Sequence, residues 1–292
     1  MAPAAPPRFR IRFWGTRGTC PSPGPRTVRY GGNTPCLEVR GGSDSLVVLD
    51  AGTGIRALGA QLMHEQDGLP VHVLLTHRHG DHVLGLPHFT PLTAQTRSVT
   101  ICCGDGEAAS LQTFIDTLLS PPMFPYVDGM MRRLQLCEWP YATPQVVGDT
   151  RVHRFAAQHP GEAAIFRVDD SHGAALAYAP DNELAYHDTT PRMLAWRVQL
   201  IEWLYAVPVL VHDATYMHSE LPRHRRWGHS SAVEATQLAL DCKAGMVVLF
   251  HHHPDRDDDS IENMVEECRA LVATSGSPLR VLAAWEGLAL TV

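Results

Sequence analysis

Short apolar runs that stop at a histidine or an aspartate constrain this chain more than any other feature. Asp50 follows Leu-Val-Val-Leu and His77 follows Val-His-Val-Leu-Leu-Thr. Asp181 follows Ala-Leu-Ala-Tyr-Ala-Pro, His212 and Asp213 follow Pro-Val-Leu-Val, and His251 follows Met-Val-Val-Leu-Phe. Aliphatic runs of this length read as buried strands. Further strands are expected at Arg8–Trp14, Ser98–Cys102, Ala163–Val168 and Val281–Ala284, and Gly15–Asn33 is expected as loop. Helical stretches, such as Ile55–Gln66, Glu107–Leu119, Pro191–Ala206, Ser231–Lys243 and Ile261–Ala270, separate several of the strands. The alternation predicts a layered α/β fold. In such folds ligand sites gather beyond the strand ends. Five strands that end in acid–base or metal-ligand side chains therefore predict one shared polar site at one edge of the core.

The chain of 292 residues is long enough to bury a large core. No linker divides it, so residues 8–292 are read as one domain, preceded by a disordered Pro/Ala tail, Met1–Pro7. Residues 120–149 carry five prolines and are expected to form a loop or flap. The formal charge is -7 and Lys243 is the sole lysine, which argues against a protein that coats nucleic acid. Arg132–Arg133 and the group Arg223, Arg225, Arg226 remain local sites for an anion. No apolar run is long enough to span a bilayer, and the first ten residues lack the apolar stretch of a signal peptide. Seven cysteines without a CxxC pair then point to a reducing, cytoplasmic setting with mostly buried, inert thiols. Cys102 and Cys103, in an apolar run, read as core packing.

The chemistry concentrates in Thr76-His77-Arg78-His79-Gly80-Asp81-His82, directly after a strand. Imidazole and carboxylate suit zinc, and also manganese or iron. His77, His79, Asp81 and His82 exceed what one catalytic metal takes while keeping an open position, so the segment points to two metals.

This HxHxDH motif resembles the signature of the metallo-β-lactamase superfamily. His159 in Gln-His-Pro-Gly is similar to that superfamily's third histidine, Asp181 in Tyr-Ala-Pro-Asp-Asn-Glu to its bridging aspartate, and His251 to its last histidine. The resemblance runs from about Arg8 to Val292 and implies an αββα sandwich with a dinuclear metal site at one edge of the two sheets. It implies that His77, His79 and His159 hold one divalent metal ion, that Asp81, His82 and His251 hold the other, and that Asp181 bridges them. Zinc is the expected metal and manganese the alternative. A hydroxide between the metals is the expected nucleophile. Strand alternation puts His251 and His253 on one face, and His251 is preferred because it ends the strand.

The branch is narrowed by His79-Gly80-Asp81-His82-Val83-Leu84-Gly85-Leu86-Pro87, which resembles the RNase Z-like phosphodiesterases. His212-Asp213-Ala214-Thr215 and Gly228-His229-Ser230-Ser231 resemble two further motifs of that branch, as do Phe13–Thr19, Gly31–Thr34 and Pro121–Pro125. The resemblance makes His229 a general acid supported by Asp213, with Asp81 as a further catalytic candidate. Gln158, Asn182 and His253 depart from residues common in the subgroup, and none removes a metal ligand. RNase Z proper carries a long tRNA-clamping arm between the third histidine and the bridging aspartate, and here only 22 positions separate His159 from Asp181. The expected substrate is thus a small phosphodiester, foremost a cyclic nucleotide, with a cyclic sugar phosphate also open. Phe124 or Tyr126 is expected to stack on a base. The alternatives are a tRNA 3′ endonuclease of the RNase Z type or a non-phosphoester hydrolase acting on thioesters or lactones. Relatives in this branch are often homodimers.

Overall fold

The computed structural model describes residues 9–41, 46–104, 108–125, 133–140, 143–170 and 173–292. The tail Met1–Pro7, Arg132 and Tyr126 lie outside the described residues. One sheet is built from β1 (Arg10–Gly15), β2 (Cys36–Arg40), β3 (Leu46–Leu49), β4 (Val71–Leu75), β5 (Val99–Cys103) and β6 (Leu134–Cys137). The other contains β7 (Gln145–Val147), β8 (Thr150–Ala156), β9 (Ala164–Asp170), β10 (Gly173–Ala179), β11 (Val209–Asp213), β12 (Met246–Phe250) and β13 (Arg280–Ala283). A last strand, β14 (Ala289–Thr291), pairs antiparallel with β1 and brings the first sheet to seven strands, as many as the second.

The strand runs are apolar on both faces because both faces are covered. Phe13, Leu37, Leu49 and Leu74 of the first sheet meet Phe166, Tyr178, Val211 and Phe250 of the second in the central core. Outside the first sheet, α1 (Ile55–Leu62), α2 (Gly80–Val83), α3 (Thr90–Thr93) and α4 (Ala108–Leu118) belong to a layer in which Ile55, Leu58, Leu111 and Ile115 pack with Val48, Val73 and Ile101. Outside the second, α5 (Pro191–Trp203), α6 (Ala232–Asp241) and α7 (Asp258–Ser275) set Leu200, Leu238 and Met264 on Leu210, Val247 and Leu249. Each such side chain contributes roughly 1.5–3 kcal/mol by leaving water. The layers are α, β, β, α, as the sequence implied.

Register explains the polar edge. Strands β10, β11 and β12 run parallel, with Ala179 opposite His212 and Asp213 opposite Phe250. Their C-terminal ends are level, so Asp181, Asp213 and His251 emerge side by side. In the first sheet β3, β4 and β5 are also parallel, and Asp50 and His77 leave at corresponding ends.

Two expectations need correction. Residues 120–149 are not a continuous loop, because β6 and β7 form the edge strands of the two sheets. These strands have four and three residues; β6 is held by β5, remote in sequence, and β7 by the adjacent β8, and proline-rich composition hid both. The cysteines are also not all thiols. Cys102 is disulfide-bonded to Cys137, which the parallel β5–β6 register sets opposite it. Cys102 is still a core residue, and Cys36, Cys103, Cys242 and Cys268 are buried and free. Among the described residues no helix is long and apolar enough to cross a membrane.

Candidate metal centre

The turn after β4 folds into the single-turn helix α2, and this delivers His77, His79, Asp81 and His82 to one place. The second sheet supplies the rest from separate loops. Among the described residues five triads of potential ligand atoms result, each within 4.8 Å: His77 with His79 and His159, His77 with His82 and Asp181, Asp81 with His82 and His251, and two that include His229, one with His159 and Asp181 and one with Asp213 and His251. Asp181 faces both sets. Its Oδ1 lies 2.9 Å from His82 Nε2 and 3.3 Å from His251 Nε2. Its Oδ2 lies 3.6 Å from His159 Nε2 and 3.9 Å from His77 Nε2.

The histidines are anchored from behind. His82 Nδ1 donates to Asp50 Oδ2 at 2.8 Å, and His159 Nδ1 donates to the carbonyl of Gly228 at 3.0 Å. His77 Nδ1 meets Thr76 Oγ1 at 3.1 Å, and His251 Nδ1 meets Thr215 Oγ1 at 3.0 Å. A proton held on Nδ1 leaves the Nε2 lone pair of each ring facing the cluster. His79 turns the other way, with Nδ1 placed 3.1 Å from His159 Nε2. His77 Nε2 is buried without a hydrogen-bond partner, and His82 Nε2 and Asp181 Oδ1, although 2.9 Å apart, do not meet in hydrogen-bond geometry. Buried polar atoms without partners are costly unless something pairs with them. Converging imidazole and carboxylate donors of this kind fit divalent cations.

The charge states agree. Burial, aided by His82, holds His77 well below the usual imidazole range, and burial also lowers His159. Both rings are thereby kept neutral, as ligands must be. Burial alone would raise Asp81 and Asp181, but the surrounding histidines keep both carboxyls ionised. Burial likewise opposes a proton on His82, yet Asp181, Asp81 and Asp50 together push its pKa well up. That rise is the response of one imidazole to three carboxylates, and a cation held by the cluster would supply the same positive charge in place of the His82 proton.

His229 stands beside this cluster. Its Nδ1 donates to Asp213 Oδ2 at 2.7 Å, lies 4.0 Å from Asp181 Oδ2, and its ring stacks on His251 at 5.0 Å. Burial would lower its pKa, but Asp213 raises it to about 9. Ser231 caps α6 by accepting from Glu234 N, which fixes the turn that carries His229. Asp213 is itself held by Asn182 N and by Thr215. His212 is buried, accepts from Asn182 Nδ2 and donates to the Asp213 carbonyl, so it props the loop without reaching the cluster.

The structure thus brings together His77, His79, Asp81, His82, His159, Asp181 and His251, with His229 and Asp213 alongside. His252 turns away to the carbonyl of Ala284, and His253 packs near Tyr216. Phe124 is partly buried, packing against the apolar layer of the first sheet and edge-on to His88. Sequence reasoning missed several supports. Asp50 sat among the strand-end residues, but its bond to His82 crosses 32 positions. Thr215 links His251 to Asp213. Thr19 N donates to Asp81 Oδ2 at 2.7 Å. Gly18 lies so close to His251 that a Cβ there would sit 2.2 Å from Nδ1, which is the chemical need behind that glycine.

The family model for the beta-lactamase superfamily domain matches residues 46–252. The chain belongs to the metallo-β-lactamase superfamily. Among its superfamily relatives, an uncharacterized protein of Mycobacterium tuberculosis is 28% identical over 233 residues, covering 77% of this chain and 75% of that protein. A ribonuclease Z of Haloarcula marismortui is 25% identical over 300 residues, covering 89% of this chain and 91% of that protein. The branch expected from the motifs is the one in which such relatives fall. Unliganded yeast PDE1 shares the fold at a TM-score of 0.71 and 16% identity, covering 98% of this chain and 100% of that one.

Proposed function

We propose that this chain is a metal-dependent phosphodiesterase acting on a small phosphodiester, foremost a cyclic nucleotide, with His229 as the general acid. The observation that carries the reading is the His229–Asp213 pair, bonded at 2.7 Å and set against the His/Asp cluster. In this reading His77, His79 and His159 hold one divalent cation, Asp81, His82 and His251 the other, and Asp181 lies between them. Zinc suits so imidazole-rich a set, with manganese second. When bound, the two cations supply the positive charge that draws a phosphodiester and acidifies water. Asp50, Thr76, Thr215 and Gly228 keep the four anchored imidazoles oriented toward them.

Cleavage of a cyclic nucleotide expels an alkoxide, a poor leaving group that needs a proton as the P–O bond breaks. His229 holds one proton on Nδ1 against Asp213 and gives the other from Nε2. General acid catalysis of this kind contributes about 10²–10⁴-fold. A thioester or lactone hydrolase has less need of this second acid–base pair. A ribonuclease Z-like activity is the other reading, favoured by the name of the Haloarcula marismortui relative. Against it, among the described residues the interval from His159 to Asp181 contains only the strands β9 and β10, and the chain's charge of -7 does not help tRNA binding.

A panel of 3′,5′-cyclic purine and pyrimidine nucleotides, run beside a precursor tRNA, tests the reading. The expected result is turnover of at least one cyclic nucleotide and its loss in His229→Ala. Cleavage of the tRNA alone would transfer the chain to the nuclease reading, and His229→Ala with wild-type rates would remove the acid assignment.

A further inference from the structure

A cavity of about 670 Å³ adjoins the cluster, sharing His159 and Gly228 with it and walled on the far side by Thr190 and Met193 at the start of α5. Arg225 and Arg226 both line it. They belong to the run Arg223-His224-Arg225-Arg226, a local concentration of positive charge in a chain of net charge -7. Among the described residues neither guanidinium is engaged by a carboxylate, whereas Arg17, Arg29, Arg40, Arg97, Arg167 and Arg256 each have one.

The acids in the same wall are already occupied. Buried Glu183 accepts from Arg226 N at 2.9 Å and from Gly228 N at 3.0 Å, one bond to each carboxylate oxygen. Asp188 accepts from Thr190 N. Glu183 therefore clamps the loop by its backbone and leaves the arginine side chains free. Arg226 takes a left-handed conformation there, at φ 67°. A loop fixed in advance loses little entropy when a ligand arrives.

We propose that this cavity is a second anion subsite, in which Arg225 and Arg226 bind a phosphomonoester group that the substrate carries in addition to its scissile diester. The inference rests on the phosphodiesterase reading and names a narrower substrate class: a cyclic phosphodiester with a separate terminal phosphate. Arginine is suited to this because its planar fork matches phosphate oxygens two at a time. Because the cavity borders both His159 and the residue before His229, a phosphate seated in it also orients the diester across the cluster.

The test compares adenosine 2′,3′-cyclic phosphate with the same compound phosphorylated at O5′, in the metal-loaded wild type, in R225A/R226A and in R225K/R226K. Bis(p-nitrophenyl) phosphate, which has no second phosphate, is the reference diester for the wild type. The wild type is expected to favour the 5′-phosphorylated substrate by about tenfold in kcat/KM, chiefly through KM. That ratio is expected to fall towards one in R225A/R226A and to be partly kept in R225K/R226K. Equal turnover of the pair by the wild type, or a preference that survives in R225A/R226A, would overturn the subsite while the reference diester is still cleaved. Failure of the wild type to cleave the reference diester would remove the phosphodiesterase reading, and the subsite with it.

Discussion

The first sheet delivers its four ligand-type side chains from a single turn, residues 77–82, whereas the second gathers His159, Asp181, Asp213, His229 and His251 from five separate segments. Each half has a buried aspartate behind a histidine, and the two pairs differ. Asp50 accepts from His82, from the backbone and hydroxyl of Thr76 and from the hydroxyl of Tyr178, all out of solvent. Asp213 backs His229, whose side chain keeps 12% of its surface exposed. The same pairing of groups serves two ends. Behind a fully enclosed ring it fixes a tautomer and a lone pair, and behind a ring that reaches the cleft it would, on the proposed reading, hold a proton for the leaving group. Asp50 and His251 both take left-handed backbone conformations directly after their strands, at φ 61° and 59°. Such conformations persist where the surrounding structure holds them and often mark functional sites.

The largest expected effect falls where the halves meet. Asp181→Asn is expected to lose metal, read by elemental analysis, and to reduce diester turnover to background. Full metal content and activity in this variant would show that the halves do not share Asp181. Next, His229→Ala should slow a cyclic nucleotide by about 10²–10⁴-fold. The same variant should slow bis(p-nitrophenyl) phosphate far less, because p-nitrophenolate departs without a proton. Equal losses on both substrates would argue for a structural role.

Asp50→Asn, on the enclosed side, is expected to cost about 10–100-fold in metal affinity or activity. Competition against a coloured chelator reads the first and steady-state rates the second. The mildest effect is expected from Asp213→Asn. If His229 is the acid it acts only while protonated, and the expected loss of activity on the alkaline side follows its pKa, which Asp213 raises to about 9 against the effect of burial. Removing that charge lowers the pKa, so the alkaline limb of the pH–rate profile should move to lower pH. An unmoved limb would detach Asp213 from the acid.

What could be read from sequence follows the same division. His77, His79, Asp81 and His82 lie in one run and need only a turn to meet. Asp181 and His251 could be read because each ends an apolar run, and parallel register makes such ends level. The supports were hidden because they depend on distant pairings. Nothing in Leu-Val-Val-Leu-Asp says that Asp50 will meet His82, and nothing near Thr215 says that it will join His251 to Asp213. The layers were visible in hydrophobic runs. Edge strands β6 and β7, and with them the Cys102–Cys137 bond, were not, since short partly exposed strands take their register from neighbours. Phe124 is a mixed case: next to a motif it reads as a ligand contact, and it packs, partly buried, against the apolar layer of the first sheet.

The central claim is that the His/Asp cluster holds two divalent cations and uses them on a phosphodiester. Chelator-treated protein, titrated with zinc or manganese while bis(p-nitrophenyl) phosphate hydrolysis is followed, tests it most directly. The account predicts turnover that is absent at the start and saturates at two equivalents of metal per chain. Saturation with no hydrolysis under either metal, or hydrolysis that does not depend on added metal, would contradict it.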